Sequence, residues 1–326
     1  MAPIQVGLTL PQGWLDEFPT KNSHEQFLFS KNVALEAERL GYAAGYVYDH
    51  FIPYYGNNSG GPFFEAYTLL SAIASVTSKL RIGQVVTCNS YRHPSLLAKM
   101  TSTIDAISNG RLEFGIGAGW FEQEYDSYGY KFYNAGARIE QLDESLTIIK
   151  KMWQNEKPSF KGKHYSIKNA ICNPKPMQRP HPPIMVGGAG SKLMEVVARH
   201  ATRYNHPFGT PEILKEKISL LKAKCKLVKR DCKEIENSVL LRVLVGKDND
   251  DVKKIISGLK KKNESIAGFL LRSRDSIALG TPEEVAQYLG RYQKVGINYF
   301  IVNFVGLSKS LDMLSTFSKK VIPLLR

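Results

Sequence analysis

Eight short apolar runs alternating with stretches of helical period predict an α/β fold of the closed (β/α)8 TIM-barrel class, with insertions. The runs, at 4–10, 42–49, 81–87, 111–116, 183–186, 203–206, 238–245 and 297–303, have the length and composition of strands buried on both faces. The unit 81–116 is a strand, a helix and a second strand, and each strand stops in residues unsuited to a core: Thr87-Cys88-Asn89 and Gly117-Ala118-Gly119-Trp120. In a parallel sheet the strand C-termini form the ligand-binding edge, so these residues point to a site. A length of 326 residues at 43% hydrophobic suits one large core. The chain therefore reads as a single domain over 1–326, with insertions near 155–183 and 260–280.

The elements follow in order. The first strand, 4–10, ends at Pro11-Gln12-Gly13-Trp14; Ser23, with Gln26 three residues on, is expected to cap a helix that Gly41 closes. The second strand ends in Asp49-His50, and the glycine-bearing loop 51–62 would lie over the same edge. A helix over 64–77 precedes the strand-helix-strand unit. In that unit Pro94 suits the first helical turn, Leu96, Leu97, Met100, Thr103, Ile104 and Ile107 mark one face, and Asn109-Gly110 ends the helix. The longest helix, 132–153, turns Ile139, Leu142, Leu146, Ile149 and Trp153 to one side. Six prolines interrupt 155–183, where a hairpin is expected near 160–167. Alternation resumes with helices at 191–199, 211–229 and 250–259, then an irregular segment to Gly280. Thr281-Pro282-Glu283-Glu284 has the form of a helix start, and a last helix is expected over 308–322.

Composition narrows the function. The net charge of +14 lies largely in lysines at 215–233 and 260–262, which suits a solvated surface or attraction of an anionic cofactor. Zinc-finger spacing and basic stretches interleaved with aromatics are missing, so no nucleic-acid partner is expected. The N-terminal stretch has no secretion pattern and no run approaches the length of a membrane helix, so a cytoplasmic protein with no membrane partner is expected. Cys88, Cys172, Cys225 and Cys232 fall in no CxxC pair, which suits unpaired thiols and no metal site.

Asp49-His50 is the one acid-histidine pair at the expected active edge, and a histidine there can give or take a proton near neutral pH. Gly187-Gly188-Ala189-Gly190-Ser191 joins a strand to a helix, where open N–H groups favour an anion; a tight turn is its structural alternative. Gly115-Ile116-Gly117-Ala118-Gly119-Trp120 does not meet the dinucleotide fingerprint, because Trp120 stands where the third glycine belongs. Its glycines suit a planar ring lying against the backbone. Trp14, Tyr54, Tyr55, Trp120, Phe121 and Tyr125 suggest an aromatic mouth, with Trp14 and Trp120 the candidate substrate contacts.

Asp49-His50-Phe51, 82–98 (IGQVVTCNSYRHPSLLA), 110–125 (GRLEFGIGAGWFEQEY), 184–190 (IMVGGAG) and 280–284 (GTPEE) together resemble the bacterial luciferase-like flavin and deazaflavin oxidoreductases, and among them the probable F420-dependent group. The resemblance covers nearly the whole chain. It implies a (β/α)8 barrel with a deazaflavin or flavin against the third strand end, near Thr87 and Cys88 and beside a bulged non-prolyl cis peptide. Asp49 and His50 would contact the ring, with His50 catalytic. Ala118 and Gly119 would line it, and Gly187, Gly188, Ala189 and Gly190 would hold the phosphate end. The implied activity is hydride transfer between coenzyme F420 and a small organic substrate; the alternative is an FMN-dependent two-component monooxygenase, and a non-catalytic flavin-binding barrel stands behind both. The sugar-phosphate dehydrogenase branch carries a catalytic glutamate where this chain has Trp120, and the Asp-Gly-Trp-Asn-like segment of the sixth strand is here Thr202-Arg203-Tyr204-Asn205. Dimers are common among such relatives, so a homodimer is an expectation.

Overall fold

The computed structural model describes residues 3–15, 17–53, 61–262, 267–268, 277–307 and 311–325. Tyr54, Tyr55 and most of the 51–62 loop lie outside the described residues, as do 308–310 of the expected last helix.

Eight parallel strands close a barrel. Strand β1 (Gln5–Thr9) pairs with β2 (Ala44–Val47), β2 with β3 (Arg81–Gln84), and β3 with the strand Leu112–Gly117. Beyond β3 the chain turns through a cis Val85–Val86 peptide into a two-residue strand, β4 (Thr87–Cys88), which pairs with the far end of Leu112–Gly117, here β5. Outside the barrel, β6 (Phe160–Lys161) and β7 (Ser166–Ile167) form the expected antiparallel hairpin. The barrel continues through β8 (Ile184–Gly187), β9 (Arg203–Pro207) and β10 (Glu236–Val245). The last strand of the chain, Tyr299–Phe304, pairs with both β10 and β1 and closes the ring.

One strand lay outside the expected alternation. Ile277–Gly280 (β11, which makes Tyr299–Phe304 β12) pairs in parallel with Arg242–Val245, so the end of the segment read as irregular is ordered sheet. Its apolar run is only Ile-Ala-Leu, too short for periodicity to register; the extra length of β10 beyond the barrel wall supplies its partner.

The helices stand outside the barrel. They are α1 (Ser23–Arg39), α2 (Ala66–Val76), α3 (Pro94–Ile107), α4 (Glu122–Tyr128), α5 (Ala135–Gln154), α6 (Leu193–His200), α7 (Pro211–Leu227), α8 (Asn249–Lys262), α9 (Pro282–Gln293) and the short α10 (Asp312–Thr316). Asn22, rather than Ser23, caps α1 by accepting from the Glu25 N–H, and Asn134 starts α5 three residues later than its periodicity suggests. Thr281 and Glu284 form the reciprocal box at the start of α9. On α3 the buried face is Leu97, Ala98, Thr101, Ile104 and Asp105, while Leu96 and Ile107 face solvent. Asp105 belongs inside because its carboxylate accepts from the backbone of Met177 and Gln178, which ties the 155–183 insertion to the barrel.

Alternation along each strand divides two cores. Val6, Leu8, Phe114, Val186, Val239 and Phe300 face the helices, and Tyr46, Val85, Met185, Leu240, Tyr299 and Ile301 fill the barrel. Each large apolar side chain fully buried this way contributes ~1.5–3 kcal/mol. The N-terminal end of the barrel is closed by charge. Glu113 accepts from Arg81, Arg203 and the Tyr46 hydroxyl, and the Arg203 guanidinium lies 3.7 Å from the centre of the Tyr299 ring. That plug leaves the opposite, C-terminal end as the open face.

Candidate active site

The floor of the site is set by the step from β3 to β4. The Val86 side chain turns across the neighbouring strands, and an added Cβ would come within 2.8 Å of it at Gly117 and within 2.7 Å at Gly187. Both glycines therefore make room for the bulge. Gly119 has φ +80, and a Cβ there would meet the Tyr125 hydroxyl at 1.9 Å and the Cys88 sulfur at 2.8 Å. The wall from Gly117 to Gly119 thus carries one small side chain, that of the half-buried Ala118, which is the shape a planar ring requires.

Asp49 is almost wholly buried and holds this floor. Its carboxylate takes two hydrogen bonds from Arg92, at 2.7 and 3.0 Å, and one from the Cys88 N–H at 2.9 Å. Arg92 also donates to Glu65 at 2.6 Å. Burial pushes the Asp49 carboxyl above its ordinary range, against the pull of Arg92. Thr87 meets the Tyr67 hydroxyl at 2.8 Å, and the Cys88 thiol lies 3.1 Å from the Tyr125 hydroxyl. Burial first, then the Asp49 charge, pushes that thiol up to about 12, so Cys88 is a neutral packing group at neutral pH.

His50 is held from two directions. Its ring stacks on Trp14 with centroids 4.4 Å apart, and the edge-on rings of Trp120 and Phe121 stand at 5.7 and 5.9 Å. Its Nδ1 lies 2.7 Å from Glu124 Oε2. Glu124 also accepts from the N–H groups of Phe51 and Ile52 and from the Tyr91 hydroxyl. Burial opposes the charge on Glu124, but these hydrogen bonds, that of His50 foremost, hold its carboxyl below the ordinary range. A carboxylate only accepts, so Nδ1 carries a proton and Nε2 is the nitrogen left to exchange one.

The third part of the site is the turn after β8. Tyr204 donates through its hydroxyl to the Gly188 carbonyl, and the Gly188 N–H donates to the Asn205 carbonyl, both at 3.0 Å. Gly187 belongs to the strand and Gly188 is pinned to β9, so the exposed stretch from Ala189 to Lys192 carries the open backbone. Its N–H groups make no hydrogen bond among the described residues. Lys217 of α7 reaches over it to the Ser191 hydroxyl at 3.3 Å.

Every expected site residue thus lies at the C-terminal face, with Asp49, His50, Thr87, Cys88, Ala118, Gly119, Trp14 and Trp120 around one floor. Glu124, Arg92 and Tyr91 were not foreseen. Arg92 lies just before His93, the N-cap of α3, and Glu124 sits among aromatics in the short helix α4, whose seven residues are too few for a periodic signal. Among the described residues no cluster of His, Cys, Asp or Glu can hold a metal, and no helix is long and apolar enough to cross a membrane.

The parallel eight-stranded barrel thus carries its glycine wall and His50 together at the C-terminal face. The chain belongs to the luciferase-like monooxygenase family, whose model matches residues 15–299. It is 23% identical, over 91% of its length and 88% of the relative's, to the FMNH(2)-dependent dimethylsulfone monooxygenase of Pseudomonas putida. It is 30% identical to the F420-dependent glucose-6-phosphate dehydrogenase of Microbacterium testaceum, over 62% of this chain and 60% of that one. Among solved structures, an F420-dependent secondary alcohol dehydrogenase in complex with an F420-acetone adduct superposes with a TM-score of 0.79 at 21% identity, covering 99% of both chains. The long-chain alkane monooxygenase LadA superposes with a TM-score of 0.81 at 19% identity, covering 100% of this chain and 91% of that one.

Proposed function

We propose that this protein is an oxidoreductase that transfers hydride between coenzyme F420 and a small organic substrate at the C-terminal face of the barrel. The observation that carries this is the contact of His50 with Glu124 beside the side-chain-poor wall of Ala118 and Gly119. When bound, the deazaflavin supplies the two-electron hydride chemistry. The chain's own residues supply the rest. Asp49 and Arg92 fix the β4 backbone that forms the floor, and Ala118 and Gly119 leave space for the ring. Trp14 and Trp120 flank His50 and would exclude water from the substrate. Held through Nδ1 by Glu124, His50 offers Nε2 to a substrate oxygen, giving a proton as the carbonyl is reduced or taking one in reverse. The turn from Ala189 to Lys192 would take the phosphate end.

A second reading, the FMN-dependent monooxygenase, has in its favour the similarity to the FMNH(2)-dependent dimethylsulfone monooxygenase along 91% of this chain. The Asp-His-Phe form at 49–51 leans the other way. Titration of F420 and FMN, oxidised and reduced, at low and moderate salt decides between them. Tight F420 binding supports the first reading, preference for FMN the second, and binding without turnover of any acceptor the non-catalytic barrel. His50→Asn with unchanged turnover and unchanged cofactor affinity would remove His50 from the mechanism.

A further inference from the structure

His206 is a buried histidine with an orphaned nitrogen. It is 4% exposed, its Nδ1 donates to the Pro207 carbonyl at 3.1 Å, and its Nε2 has no hydrogen-bond partner among the described residues. A buried polar atom left unpaired is costly, and a ligand from outside the chain would relieve it. The position of His206 names that ligand's place. In the β8–β9 register Gly187 faces Asn205, which brings His206 level with the start of the open turn. Tyr204, two residues earlier on the same face of β9, already reaches the Gly188 carbonyl, and its ring centre is 6.3 Å from that of His206. The half-buried Lys217, which spans to Ser191 in the turn, is the charged group acting on His206. Gly209 packs against the imidazole so closely that an added Cβ would meet Nδ1 at 2.5 Å, which fixes the ring in place.

We infer that His206 is a ligand of the anion held by the 189–192 turn, and that it takes up a proton from solvent when a phosphate-bearing cofactor binds. This rests on the proposed function only in taking that anion to be a cofactor phosphate. In the free protein, burial holds His206 below its ordinary value against the opposing hydrogen bond to Pro207, and the Lys217 charge adds a smaller push downward. Tyr204, on its own strand beside it, is neutral. A phosphate beside Nε2 favours the charged form, with both ring nitrogens donating. Binding is then tighter at lower pH.

The test measures Kd by fluorescence titration from pH 5.5 to 8.5 for two pairs: FMN against riboflavin, and F420 against the deazaflavin riboside that lacks its phosphate. His206→Gln should weaken binding of the phosphate-bearing member about tenfold at pH 6, the equivalent of one pKa unit, with little effect at pH 8.5 and none on the riboside. Lys217→Gln, on the outer helix, should weaken it at all pH values. An unchanged Kd in His206→Gln, or an equal loss for the phosphate-free member, overturns the inference. Inorganic phosphate separates this result from the cofactor reading. If no flavin or deazaflavin binds, yet phosphate raises the wild-type Tm at pH 6 and not that of His206→Gln, the anion site stands and the cofactor reading falls. Absence of both effects ends both.

Discussion

His50 Nδ1 and Glu124 Oε2 meet at 2.7 Å although 74 positions separate them, one at the end of the second barrel strand and the other in a helix after the fourth. The pairing gives the histidine one orientation and one proton on Nδ1, and the same carboxylate ties down the Phe51 and Ile52 backbone and the Tyr91 hydroxyl.

Glu124→Gln should lower kcat by about 100-fold, in the range of a misplaced general acid, and leave cofactor Kd within a few-fold of wild type. A double variant with His50→Asn should be no worse than His50→Asn alone, because Glu124 acts through His50. Steady-state kinetics of the three variants checks this; additive losses would show that Glu124 acts elsewhere.

Gly119→Ala should cost more than the backbone term alone. An L-residue at φ +80 loses about 1–2 kcal/mol, and the Tyr125 hydroxyl occupies the Cβ position as well. Gly41 is the control, with φ +79 and open space around its Cβ. Gly41→Ala should lose only about 1–2 kcal/mol in urea unfolding, whereas Gly119→Ala should lose clearly more and weaken the cofactor. Equal losses would mean that Tyr125 yields easily.

Acid should attack the barrel plug. Burial raises the Glu113 carboxyl, but Arg203 and Arg81 outweigh it and hold the group below its ordinary value. A depressed carboxylate stabilises the fold fully above the unfolded value of about 4.3, and that contribution fades as pH falls through the folded value. Glu113→Gln, which leaves Arg203 to Glu236 and Arg81 to the Leu112 carbonyl and Gln178, should cost about 3 kcal/mol at pH 7, the low end for breaking a buried ion pair, and flatten the loss of stability between neutral pH and pH 3. Urea melts across that range measure both; parallel curves for variant and wild type would remove Glu113 as the source.

Cys88 should resist alkylation. With its thiol pushed up to about 12 and its side chain buried, iodoacetamide at pH 7.5 should label the half-buried Cys232 before Cys88. Peptide mass spectrometry of the native protein reads the order, and prompt labelling of Cys88 would mark it as a reactive thiol.

Sequence alone determined the barrel, because eight strands with helical returns leave a period that local chemistry writes plainly: Pro94 at a helix start, Asn109-Gly110 at its end, Thr281 and Glu284 closing a box. It also located the glycine wall and Asp49-His50, since both depart from what a buried strand needs. Tertiary structure alone decided which side chains meet there. The contacts of Glu124 with His50, Arg92 with Asp49, and Tyr204 with the Gly188 carbonyl join residues distant in the chain or on neighbouring strands, and no local preference encodes them. The same holds for β11, whose three apolar residues become a strand only because β10 runs on past the barrel and offers an edge to pair with.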